Sequence, residues 1–177
     1  MRDVLLLVDV LDDFGHEHGP ELLRSLAGRH ERLTSLLRSA RASGVPIVYA
    51  NDNKGLWDSD VHDLVHRALA GPGADLIREL IPASGDRVVT KPRYSAFDHT
   101  PLELILDELH CGRLLIAGMT TEGCVAQTAI AARELGLNVS VIAEACATVH
   151  SGNEETALRY LTDVVGVRVT RVHEIGT

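Results

Sequence analysis

A chain of 177 residues, 45% hydrophobic and 24% charged, has the size of one globular domain and can bury a core without disulfide staples. Its formal net charge of −8, with no Lys/Arg cluster, excludes the basic footprint of a nucleic-acid binder. The three cysteines, an odd number without C-x-x-C spacing, form neither a disulfide framework nor a zinc ribbon, and no apolar stretch approaches the length of a membrane span.

In chain order, residues 4–8 are the first apolar run, closed by Asp9. That run is too short and too soon acidic for a secretion signal, so a cytoplasmic, reducing compartment is expected. Residues 20–43 carry Leu22, Leu26, Leu33, Leu36, Leu37 and Ala40 at helical spacing and stop at Gly44. Residues 45–50 read as a second strand, ending in Asn51 and Asp52, and 61–69 and 74–80 as short helices split by Gly-Pro-Gly. A third strand over 87–90 runs into Lys91. Residues 101–110 follow as a helix, with Thr100 as N-cap and Pro101 at the first helical position, where its missing N–H costs nothing. Residues 114–117 are a fourth strand, 124–135 a helix closed by Gly136, 138–142 a fifth strand, 153–164 a helix and 167–172 a sixth strand.

Strands that read as unbroken apolar runs are buried on both faces, and strands joined by helices are parallel. The expectation is a single domain over 1–177: a three-layer α/β/α sandwich around a six-stranded, mostly parallel, Rossmann-like sheet. Ligands of such sheets sit beyond the carboxyl ends of the strands. At that edge the sequence places Asp9, Asn51 with Asp52, Lys91, Cys124 just after Gly118, and Glu144 with Cys146. Each has an ordinary structural reading by itself: a turn cap, a solvated ammonium, a small apolar filler. As a set they make chemical sense. A helix start and a nearby ammonium favour a thiolate, a carboxylate in reach can take and return a proton, and backbone N–H groups at the turn can catch an oxyanion.

The segments VDVLDDF around Asp9, VTKPRYSAF around Lys91 and AGMTTEGCVAQTA around Cys124, in this order and spacing, resemble the isochorismatase-like cysteine hydrolase superfamily. That superfamily includes nicotinamidases, carbamoylsarcosine, ureidoacrylate and maleamate amidohydrolases, and biuret hydrolases. The resemblance implies Cys124 as nucleophile, Asp9 as general base and acid, and Lys91 as the positive neighbour. It also implies a cis peptide between Met119 and Thr120, with the N–H groups of Thr120 and Cys124 as the oxyanion hole. Three departures stand out. Nicotinamidases carry an Asp-x-His and a further His for a metal, whereas the matching segment NDNKGLWDSD has Asn53 and Lys54; no metal and no cofactor is expected. His62 and His66, one helical turn apart, with Asp52 or Asp60, are the alternative metal set. Leu11 replaces the family Gln of D-x-Q-x-D-F. Finally, isochorismatases that cleave a vinyl ether lack the cysteine, so its presence favours a thioester route.

Phe14, Trp57, Tyr94 and Phe97 fall in loops near the same edge and, with Asn51, Asn53 and Arg93, suggest a small pocket for a planar substrate. The expected activity is hydrolysis of a small non-peptide C–N bond (amide, ureide or carbamoyl) through an acyl-enzyme. The alternatives are a vinyl ether hydrolase of isochorismate type without covalent chemistry, or a catalytically silent binding module. The expected partner is a small-molecule substrate, with neither nucleic acid nor membrane, and the resemblance implies a homodimer or homotetramer.

Overall fold

The computed structural model describes residues 1–58 and 60–172. Its sheet has the order β3-β2-β1-β4-β5-β6, and every neighbouring pair is parallel. The strands are β1 (Arg2–Val8), β2 (Ile47–Asp52), β3 (Arg87–Lys91), β4 (Cys111–Met119), β5 (Val139–Ala147) and β6 (Arg168–Thr170). The helices between them cover both faces, and the strand cores are accordingly sealed: Val4 to Val8 of β1 have no exposed surface. β1 and β4 are neighbours although two strands intervene in sequence, so the winding of the chain reverses between them. That boundary is where an open parallel sheet leaves a crevice.

The helices are α1 (Gly19–Ala42), α2 (Val61–Ala70), α3 (Ala74–Ile77), α4 (Leu102–Glu108), α5 (Ala126–Glu134) and α6 (Ser151–Tyr160). α1 buries Leu22, Leu26, Leu33, Leu36, Leu37 and Ala40, the face its apolar spacing marks out, and the chain leaves it through Gly44 at φ 66°. α4 starts one residue later than its sequence suggests. Pro101 takes the cap position, and Thr100 supports it from one residue back, its Oγ1 accepting the Leu102 N–H at 3.2 Å.

Two differences from the sequence reading bear on the site. β4 and β5 run well past their apolar cores, to Met119 and Ala147. Their pairing shifts between Ile116 and Gly118, so that Gly118 faces Cys146 and Met119 faces Ala147. The segment holding Cys124 is not the first turn of a regular helix. Thr121–Val125 forms a wider π-type turn broken by Gly123 at φ −113°, ψ −105°, and α5 begins only at Ala126. Among the described residues no helix is long and apolar enough to cross a membrane.

Candidate active site

β1 ends where Asp9 turns into the left-handed region at φ 52°; Asp is among the few non-glycine residue types that tolerate this conformation. Its carboxylate is held from two sides. Oδ1 accepts the Asp52 N–H at 2.7 Å, and Oδ2 lies 2.8 Å from the Lys91 ammonium. Lys91 is the last residue of β3, two strands away across the sheet, roughly 10 Å at the usual strand spacing. Its side chain reaches back over the end of β2 and has no exposed surface. The ammonium donates to the Arg93 carbonyl at 3.0 Å and to the Cys124 sulfur at 3.3 Å. With Asp9 these make three acceptors for three N–H donors, which is how a fully buried lysine stays charged.

Cys124 comes to the same point from β4. Gly118 pairs with Val8 of β1 at φ 127°, and a Cβ there would sit 2.0 Å from the Val8 carbonyl oxygen. Only glycine lets the two strand ends approach this closely. The peptide between Met119 and Thr120 is cis, and the Thr120 carbonyl accepts the N–H groups of Gly123 and Val125 at 3.1 and 3.2 Å. The Asp9 carboxylate is near enough to act on the thiol electrostatically. The structure thus brings Asp9 and Cys124 to the same Lys91 ammonium.

The electrostatics correct one expectation. The thiol is not preformed as a thiolate. Burial, reinforced by the Asp9 carboxylate, pushes its pKa up to about 12, and the opposing pull of Lys91 is the smaller effect. The broken turn ahead of α5 also removes the regular helix start that was to assist. Asp9 is raised above the ordinary carboxylate range because burial outweighs Lys91, Cys124 and the Asp52 N–H, which makes it a stronger base. Burial works against the Lys91 ammonium, but Asp9 and Cys124 outweigh it and hold that pKa above its usual value. Burial thus favours the neutral thiol, with the Lys91 ammonium held against the Asp9 carboxyl group.

The expected pocket residues separate into two groups. Asn51 is buried with both ends of its amide engaged: Oδ1 accepts the Leu11 N–H at 3.0 Å and Nδ2 donates to the Leu11 carbonyl at 2.9 Å. It is a clamp between β2 and the loop after β1, not a substrate ligand. The same contact holds the loop through the backbone of Leu11, the residue that stands where the resemblance has Gln. Phe14 is buried too, its ring against Gly73, where an added Cβ would meet the ring at 2.4 Å; it packs into the core. Asn53 is buried, its N–H donating to the Lys91 carbonyl and its Oδ1 accepting the Gly55 N–H. Trp57 and Tyr94, by contrast, are 77% and 64% exposed, so they are free to cover a ligand. Arg93 meets the cluster through its carbonyl, which accepts the Lys91 ammonium. Cys146 is buried and bonded to the Ile142 carbonyl, and Glu144 accepts the Val172 N–H at the far side of β5. Sequence reasoning missed Glu122, Arg29 and Glu154, which brace the turn from behind; no local motif marks them.

The Isochorismatase domain family model matches residues 3–174, nearly the whole chain. The chain belongs to the isochorismatase family. It is 28% identical over 171 residues, 97% of this chain and 94% of the relative, to the isochorismatase family protein YaaI of Bacillus subtilis. The fold of this isochorismatase-family chain superposes on the nicotinamidase/pyrazinamidase PncA of Bacillus subtilis with TM-score 0.78 and 27% identity, covering 97% of this chain and 100% of the other. With the N-carbamoylsarcosine amidase of Thermoplasma acidophilum the values are 0.75 and 26%, covering all of both chains. This member therefore sits in a hydrolase family whose amide-cleaving members share its fold.

The metal set of nicotinamidases does not fit the residues present. After Asp52 come Asn53 and Lys54, and the Lys54 ammonium is paired with Asp12 at 3.0 Å. His62 and His66 instead line a groove of about 540 Å³ with Ile81, Pro82 and Val88. Asp60 caps α2 through its side chain. Among the described residues no group of three or more His, Cys, Asp or Glu is arranged to hold a metal ion.

Proposed function

We propose that this protein is a cysteine hydrolase of a small, non-peptide C–N bond (an amide, ureide or carbamoyl group) working through a thioester. The observation that carries the reading is the contact of three residues drawn from the ends of β1, β3 and β4: Lys91 Nζ lies 2.8 Å from Asp9 and 3.3 Å from Cys124. Because the thiol rests protonated, sulfur attack on the carbonyl carbon and proton transfer to Asp9 go together. Lys91 keeps Asp9 anionic until then and offsets the charge that sulfur gains. The oxyanion is received by the N–H groups of Thr120 and Cys124; such a donor is typically worth about 3–4 kcal/mol. Asp9 returns its proton to the leaving nitrogen as the C–N bond breaks. It then deprotonates a water that attacks the thioester, and the acid leaves as the thiol regains its proton.

Trp57 and Tyr94 are the residues proposed to flank a planar substrate, with Asn53 orienting it from the β2 end. The amide chemistry of the nicotinamidase and carbamoylsarcosine amidase relatives supports the bond class and leaves the acyl group open. The test is turnover of a panel of nicotinamide, maleamate, N-carbamoylsarcosine and ureidoacrylate by the wild type and by Cys124→Ala. Turnover of at least one compound by the wild type, lost in Cys124→Ala without loss of fold, is the expected result. A Cys124→Ala protein that hydrolyses at the wild-type rate overturns it.

A further inference from the structure

The residues just ahead of Cys124 are anchored from behind by a buried polar network that the chemistry itself does not use. Thr121 is fully buried, and its hydroxyl lies 2.8 Å from Glu154 Oε1 and 3.3 Å from the Ala147 carbonyl. Glu154, on the first turn of α6, is itself buried and forms a two-pronged ion pair with Arg29 of α1, with Nη2 to Oε2 at 2.7 Å. The same guanidinium donates to the carbonyls of Cys146 and Ala143 at the end of β5. Cys146 and Ala147 are the residues paired with Gly118 and Met119, so Arg29 and Thr121 both hold the end of β5, the strand that lies against the residues leading into the Met119–Thr120 peptide. Glu122 adds a second tie: its carboxylate accepts the Thr148 hydroxyl at 2.8 Å and the N–H groups of Val149 and His150 at 3.1 and 3.2 Å.

This is a costly arrangement for stability alone. A buried ion pair seldom beats an apolar replacement of the same volume. What the network does supply is direction: a hydroxyl in a turn has few ways to satisfy a charged acceptor, and each fixes the backbone that carries it. We propose that Thr121, held by the Glu154–Arg29 pair, is a positioning residue that sets the backbone of the turn presenting Cys124 and the Thr120 N–H. The inference rests on Cys124 being the nucleophile. Its consequence is that α1 and the start of α6 are coupled to the rate of the chemical step and not to substrate binding.

Thr121→Val keeps the shape, removes the hydroxyl and leaves Glu154 paired with Arg29, so no charge is orphaned. Measured on whichever of nicotinamide, maleamate, N-carbamoylsarcosine or ureidoacrylate the wild type hydrolyses fastest, kcat should fall roughly tenfold or more with KM within about twofold. Thr121→Ser, which restores the hydroxyl, should recover kcat to within about threefold of wild type. A wild-type kcat in folded Thr121→Val, or a Thr121→Ser enzyme as slow as Thr121→Val, overturns the inference. Should Thr121→Val not fold, Glu154→Gln takes its place: it keeps an acceptor but weakens it, and the same split between kcat and KM is expected, an unchanged kcat being the refuting result. Cys124→Ala is measured alongside. If it is inactive while Thr121→Val matches the wild type, only the positioning role fails; if it retains full turnover, the nucleophile reading fails and takes this inference with it.

Discussion

Replacing Lys91 by Met removes an ammonium with no exposed surface and leaves a hydrocarbon of similar reach. The Asp9 carboxylate, whose side chain is 14% exposed, then keeps the Asp52 N–H but loses the one counter-charge paired with it among the described residues. Breaking one side of a buried pair typically costs about 3–5 kcal/mol, and here the cost must depend on pH. The Asp9 pKa is already raised in the wild type by burial, and without Lys91 it rises further. A raised folded-state pKa contributes stability at low pH that is lost as pH climbs through it. Lys91→Met should therefore lie closer to the wild type at pH 5 than at pH 8, by about 1.4 kcal/mol for each further unit of Asp9 shift. The wild-type ammonium contributes no change across that window, because its own raised pKa lies above the ordinary lysine value. Urea denaturation at both pH values reads the difference, with equal slopes confirming that the midpoints are comparable. Adding Asp9→Asn to Lys91→Met should recover part of the loss, since the orphaned charge is gone. A loss under about 1 kcal/mol that is the same at both pH values would refute the reasoning, because a buried charge cannot lose its partner so cheaply.

Three further outcomes are expected. The rate of Cys124 alkylation by iodoacetamide should keep rising with pH up to at least about pH 10, because the thiol titrates near 12; a plateau near neutral pH would show a preformed thiolate. Asn51→Ala should cost roughly 2–3 kcal/mol in a thermal melt, as two buried hydrogen bonds to Leu11 are lost, and a neutral effect would dismiss the clamp. Trp57→Ala should leave stability within about 0.5 kcal/mol, given its exposure, while raising KM; an unchanged KM removes it from the pocket.

Much of this was legible in the sequence, and the boundary is physical. Strands such as β1 announce themselves because a strand buried on both faces must be apolar throughout, and the apolar face of α1 repeats at helical spacing. Asp9, Lys91 and Cys124 were legible because each lies at the end of a strand or in the turn just beyond one, and the crevice rule groups strand ends. The aromatic pocket was not. Phe14 and Trp57 share a composition signal, yet one packs against Gly73 and the other faces solvent, a difference set by loop paths that no local pattern encodes. The protonation of Cys124 was misread for a related reason. Burial depends on the whole fold, and it outweighs the ammonium that the sequence does display. The Thr121–Glu154–Arg29 network joins residues from α1, α6 and the turn, and contacts of such sequence separation leave no periodic trace.

The central claim is that the sulfur of Cys124, with Asp9 and Lys91 beside it, forms a covalent bond to substrate carbon. Rapid acid quench of the turning-over enzyme, followed by mass spectrometry of the peptide containing Cys124, tests it most directly. The account predicts that this peptide gains the mass of the substrate's acyl group during turnover and that Cys124→Ala gains none. Steady hydrolysis with Cys124 never modified, and with Cys124→Ala as fast as wild type, would contradict it.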